Sequence, residues 1–153
     1  MAEPAREARL GLTIRRVFAA SRDRVWREWT EAEAFADWFG GAEAEVPLET
    51  VAMDVRPGGA WRATMFSGPE RRRIDWSGEF REVRPPERLV LTISDRPGGV
   101  APELVVVVLT DLGDGRTEML VEQHGSLPPE VYEAARNGWG AFLDRMEARL
   151  AAG

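Results

Sequence analysis

Residues 104–150 read LVVVVLTDLGDGRTEMLVEQHGSLPPEVYEAARNGWGAFLDRMEARL, and the period of the apolar residues changes once within them, at Pro128-Pro129. Before that point, LVVVVLTDL and RTEMLVEQH are apolar runs joined through Asp114-Gly115. A type I′ turn needs positive φ at both central residues, so an Asp-Gly pair in this position predicts a β-hairpin. After it, Val131, Ala135, Trp139, Phe142, Met146 and Leu150 recur at helical spacing. One amphipathic helix is therefore expected from about Pro129 to Leu150. About 20 residues rising 1.5 Å each span roughly 30 Å, enough to cross a whole sheet.

Upstream of the hairpin, from Val46 onward, short apolar stretches alternate with turn residues at Pro57-Gly58-Gly59, Gly68-Pro69, Pro85-Pro86 and Pro97-Gly98-Gly99. That pattern reads as an antiparallel meander. Leu12, Ile14 and Phe18 form a first strand, and Ser21 is placed to cap a helix through Val25, Trp26 and Trp29. A second short helix runs from Glu31 to about Phe39 and ends at Gly40-Gly41. Residues 1–9 carry Glu3, Pro4, Arg6, Glu7 and Arg9 without a period and read as a loose tail before a single domain over 10–153. Helices and strands are segregated rather than alternating, which means α+β and not a βαβ nucleotide-binding fold. The expected architecture is a curved antiparallel sheet of six to seven strands, two short helices after strand one, and the long C-terminal helix across the concave face.

At 153 residues, 44% hydrophobic and 30% charged, the chain has the composition of a globular domain. A net charge of −6 argues against a general phosphate-binding surface, so no nucleic-acid partner is expected. The Arg71-Arg72-Arg73 run follows Gly68-Pro69 and reads as a solvated turn rather than an anion site. With no cysteine, disulfides, thiolate nucleophiles and cysteine metal sites are excluded. No apolar run approaches a membrane span, and MAEPAREARLG holds no signal-peptide core, so a cytoplasmic location without membrane insertion is the expectation.

Catalytic templates mostly fail. GxSxG and GxxxxGK[ST] are absent, and Gly113-Asp114-Gly115 lacks the third glycine of a dinucleotide loop. One histidine, His124, cannot build a multi-histidine metal site. Strand alternation sets Thr117, Met119, Val121 and Gln123 inward, and Glu118, Glu122 and His124 outward. Gln123 is thus a polar group aimed into an apolar interior. Six tryptophans, Trp26, Trp29, Trp38, Trp61, Trp76 and Trp139, fall on nearly every element. Ordinary packing explains such residues, and so does a cavity wall, where buried indole N–H groups find partners more easily. In Asn137-Gly138-Trp139-Gly140, each glycine costs about 0.8–1 kcal/mol against alanine. Close packing on the sheet and a lid that bends for a ligand both account for that cost.

Taken in order, Val17-Phe18-Ala19-Ala20-Ser21-Arg22-Asp23-Arg24-Val25-Trp26, Asp37-Trp38-Phe39-Gly40, Asp54-Val55-Arg56-Pro57-Gly58-Gly59-Ala60-Trp61-Arg62, and Gly138-Trp139 with Leu143 and Met146 form a recognisable series. It resembles the START-like, or SRPBCC, helix-grip superfamily, in the branch related to the activator of the heat-shock protein 90 ATPase, over about residues 10 to 151. The resemblance implies a sheet gripping the C-terminal helix around a hydrophobic cavity. It does not imply one reaction, since the superfamily includes lipid and hormone carriers, polyketide cyclases and co-chaperone domains. Relatives often carry histidine where Gln123 stands.

Together these readings favour a non-enzymatic binding module for a small apolar molecule, with Trp38, Trp61, Met65, Trp76, Phe80, Trp139 and Phe142 as walls and Gln123 as polar anchor. Two alternatives remain: a co-chaperone-like protein docking on a heat-shock ATPase, and a cyclase- or hydrolase-like enzyme. No catalytic residue, metal or cofactor is assigned, and the oligomeric state is left open.

Overall fold

The computed structural model describes residues 10–96 and 101–153; the expected tail and the Pro97-Gly98-Gly99 turn lie outside them. Strand β1 spans Leu10–Phe18, followed by helices α1 (Arg22–Thr30) and α2 (Ala32–Trp38). Ser21 caps α1, its hydroxyl accepting from the Arg24 N–H. Then come β2 (Ala44–Glu45), a single 3₁₀ turn at Leu48–Thr50, β3 (Ala52–Met53), β4 (Ala60–Ser67), β5 (Arg72–Arg84), β6 (Arg88–Ile93), β7 (Glu103–Gly113), β8 (Arg116–Gly125) and helix α3 (Pro129–Ala152).

The strands form one eight-stranded antiparallel sheet in the order β1-β8-β7-β6-β5-β4-β2, with β3 also paired to β4. This is the expected α+β helix-grip architecture. The strands beyond the six or seven anticipated are the two-residue β2 and β3, too short to leave a period of two in the sequence. At the β7–β8 hairpin, Asp114 and Gly115 have φ of 60° and 73°, as the type I′ reading requires.

The sheet bends within β5, whose register shifts between Phe80 and Glu82. Gly78 lies opposite Trp61 there, and the Trp61 indole passes over it to donate to the Thr92 carbonyl at 2.9 Å. A Cβ at Gly78 would overlap both that carbonyl oxygen and the indole nitrogen, so the bend requires glycine.

Helix α3 buries Tyr132, Trp139, Leu143, Met146 and Leu150 in a core shared with Leu12, Val105, Val107, Met119 and Val121 of the sheet. It also covers the edge strand β1: Arg136 donates to the Thr13 carbonyl at 2.7 Å, and Arg16 of β1 reaches the Gly140 carbonyl at 3.2 Å. The C-terminal end of α3 is tied to the two short helices. Arg24 donates to the Leu150 carbonyl at 2.9 Å, and Arg149 forks onto both oxygens of Glu28, at 2.7 and 3.2 Å, and onto Asp37. No helix among the described residues is long and apolar enough to cross a membrane.

Burial pushes the Asp37 carboxyl up, but the hydrogen bonds and charges of Arg149 and Arg145 outweigh it and hold Asp37 below its ordinary value of 3.8. The stability this contributes is present above that value and is lost as pH falls through the lower folded-state one. Asp37→Asn is expected to lower unfolding free energy at neutral pH by about 0–1 kcal/mol, the range for solvent-screened pairs. Denaturant titration across acidic pH should show the difference from wild type closing below pH 3.8.

Candidate functional site

Where the first half of α3 passes over the sheet, a cavity of about 270 Å³ remains. The helix contributes Val131, Ala135, Gly138, Trp139 and Phe142 to its wall, and Leu127 precedes the helix. Opposite them stand Trp76 of β5, Ile93 of β6 with Ser94 and Asp95 beyond it, Ala101, Glu103 of β7 and Gln123 of β8. Val131, Asp95 and Ala101 are exposed, so the cavity opens to solvent on that side. The positions of Val131, Ala135, Gly138 and Phe142 make one helical stripe beside the stripe that is packed in the core. Two of its members carry little or no side chain, which leaves the concavity of the sheet unfilled here.

The deep wall is polar and internally bonded. Trp139 Nε1 donates to Gln123 Oε1 at 2.8 Å, and Gln123 Nε2 donates to Glu103 Oε1 at 3.3 Å. The Tyr132 hydroxyl donates to the same Glu103 oxygen at 2.6 Å and accepts from the Leu127 N–H at 3.3 Å. Glu103, Gln123, Tyr132 and Trp139 are all buried, with Glu103 8% exposed. Burial, and then the hydrogen bond to Glu103, push the Tyr132 phenol up to about 12, so it stays a neutral donor. Gly125 makes room for this carboxylate, since a Cβ there would overlap Glu103 Oε2.

Of the residues expected at a site, Trp76, Gln123, Trp139 and Phe142 come together on this cavity. Trp38, Trp61, Met65 and Phe80 do not line it and lie in the packed core. Trp38 is held in an aromatic cluster with Trp29 and Phe35, at ring separations of 4.9 and 5.1 Å. Its N–H donates to the Glu28 carbonyl at 2.6 Å, just as that of Trp61 donates to Thr92, so backbone oxygens satisfy these indoles without a wet cavity. Trp76 is the exception: its Nε1 is buried and finds no partner among the described residues. His124 sits on the outer side of β8, half-buried beside Glu122 at 3.3 Å. Arg71, Arg72 and Arg73 are exposed, with Arg71 on Glu45 and Arg73 on Asp75.

Glu103 and Tyr132 were not singled out by sequence. Glu103 shares the inward phase of Val105, Val107 and Leu109, and Tyr132 lies seven residues before Trp139 on the buried stripe. A carboxylate in phase with an apolar strand face was the readable signal. Among the described residues, no three His, Cys, Asp or Glu side chains come together as metal ligands.

Comparison with known proteins gives one family match: the model for "Activator of Hsp90 ATPase homolog 1-like protein" matches residues 19–151. No curated protein matches the chain. A solved protein of Nitrosomonas europaea is similar at 26% identity and TM-score 0.78, over 94% of this chain and 95% of that one. The AHSA1 protein of Silicibacter pomeroyi reaches TM-score 0.82 at 21% identity, over 94% and 99% of the two chains. A Staphylococcus aureus protein described as of unknown function reaches 0.79 at 17% identity, over 94% of each. At these last two identities the likeness is one of fold alone.

Two measurements check this geometry. Tyr132 is the single tyrosine, so ultraviolet difference titration of the folded protein should show one phenol ionising at about 12, and Glu103→Gln should move that step down. In denaturant unfolding, Trp61→Phe should cost about 1–3 kcal/mol more than Trp76→Phe. The first substitution orphans the Thr92 carbonyl, while the second removes a donor that has no partner.

Proposed function

The chain belongs to the Activator of Hsp90 ATPase homolog 1-like family, within the START-like superfamily, and on that premise we propose that it binds a small apolar molecule in the cavity beneath the first half of α3. The single observation that carries this reading is the cavity itself: about 270 Å³ walled by Trp76, Ile93, Leu127, Val131, Trp139 and Phe142, beside a core of large side chains. An apolar space with a few convergent polar groups is the usual form of a ligand site. A further feature supports it. Gln123 and Glu103 supply polar groups that would orient a ligand, Gln123 serving as the anchor. Trp38, Trp61, Met65 and Phe80 take the role of supporting core behind that wall.

The family's description supplies a second reading, in which the protein docks on a heat-shock ATPase and activates it. Stimulation of the ATPase rate of a purified Hsp90 by the full chain, unaffected by filling the cavity, would put that reading ahead.

A neutral aromatic ligand at a hundred times its Kd adds about 2.7 kcal/mol to stability. At this chain length, that raises Tm by on the order of 5–10 °C. Such a shift is expected by differential scanning fluorimetry against a panel of neutral aromatics. Gly138→Leu should abolish it, because Gly138 is part of the cavity wall and a Cβ there meets nothing within 4 Å. No shift with any compound, or a shift undiminished in Gly138→Leu, refutes the proposal.

A further inference from the structure

Granting the cavity reading above, we infer that the ligand is an organic cation, an aromatic or similarly apolar molecule carrying an ammonium group, and not a fatty acid or other anion. Among the described residues, both ionisable side chains on the wall, Asp95 and Glu103, are acidic, and no arginine or histidine lines the cavity. The whole chain carries −6, so its field also favours cations.

Glu103 is the stronger of the two arguments. It is more than nine-tenths buried, and both of its donors, the Tyr132 hydroxyl and Gln123 Nε2, converge on Oε1. Both of these donors are neutral, and together they fill the acceptor positions of Oε1. Oε2 receives no hydrogen bond from the described residues, and no basic side chain among them forms an ion pair with Glu103. A buried carboxyl group that meets only neutral donors has no charged partner in the protein. An ammonium group in the cavity would supply one.

The apolar wall fits the same class. Trp76, Trp139 and Phe142 surround the space, and aromatic faces attract ammonium groups, tryptophan most strongly. Trp139 has its N–H engaged by Gln123, so its edge donor is already used. The volume of about 270 Å³ equals about nine water volumes, enough for one ring and a short chain.

The test is isothermal titration calorimetry of the full chain with three matched probes: phenethylamine, phenethyl alcohol and phenylpropionate. The amine is expected to bind about tenfold or more tightly than the alcohol, with the acid weakest. Glu103→Gln should bring the amine to within about threefold of the alcohol. Asp95→Asn, at an exposed position, covers the case in which Glu103→Gln fails to fold, and should weaken only the amine, by about two- to threefold. An amine no tighter than the alcohol, a tighter acid, or an amine preference unchanged in the folded variants overturns the cation assignment while leaving the apolar cavity in place. No binding by any of the three probes overturns both.

Discussion

The position of the long helix depends on how its last turns are held. Arg149 forks onto the buried Glu28 and also reaches Asp37, while Arg24 takes the Leu150 carbonyl at the frayed end. A carboxylate as buried as Glu28, at 7% exposure, is costly unless a charged, bidentate partner meets it. The same helix pair supplies the Trp29 and Trp38 rings, which fill the space below Leu143 and Met146. Charge pairing and close packing thus fix the same end. The first half of α3 is held to the sheet by hydrogen bonds from Tyr132, Arg136 and Trp139 rather than by a forked ion pair, and there the helix presents Ala135 and Gly138 to the cavity. A rigid element close-packed at one end and small-faced at the other must leave a void, because the curvature of the sheet is set independently by Gly78 and the β5 irregularity.

The floor of that void is the least economical part of the molecule if stability alone is considered. Buried polar networks are tolerable when every member is satisfied. The chain from Trp139 through Gln123 to Glu103 and Tyr132 nearly meets this condition, leaving one carboxylate oxygen without a donor among the described residues. An apolar side chain at Glu103 would continue the Val105–Val107–Leu109 face with no such cost. The Trp76 N–H is buried without a partner among the described residues, whereas the other buried indoles described have found protein partners.

Much of the fold was legible because its signals are local. The Asp114-Gly115 turn, the period change at Pro128-Pro129 and the Ser21 cap each act within a few residues, and each appears where the sequence places it. The site was half legible. Alternation correctly set Gln123 inward and His124 outward, and Trp76, Trp139 and Phe142 meet around one space. Trp38, Trp61, Met65 and Phe80 look the same in one dimension, but whether an aromatic on an inward face finds neighbours or a void depends on the residue opposite. For Trp61 that depended on Gly78 and Thr92 lying near enough to receive the indole, which is a fact of register and not of pattern. Tyr132 escaped notice for a related reason: Val131 and Tyr132 both fit a helical stripe, and only the crossing of α3 over the sheet decides which is buried.

The paired glycines of α3 carry the argument furthest. Close packing against the sheet does not explain them, since a Cβ at Gly138 or Gly140 would meet nothing within 4 Å. Each still costs about 0.8–1 kcal/mol of helix stability relative to alanine. For Gly140, the structure shows only that Arg16 reaches its carbonyl. For Gly138, the wall position supplies a reason, because any side chain there would take up space that Ala135 and Phe142 leave open. On the binding proposal, that cost keeps room beneath the helix. A protein selected for stability alone would carry alanine there, gaining helix propensity. On the binding proposal, the open position of Gly138 beside Glu103 and Gln123 brings the helix, the cavity and the polar floor together at one ligand site.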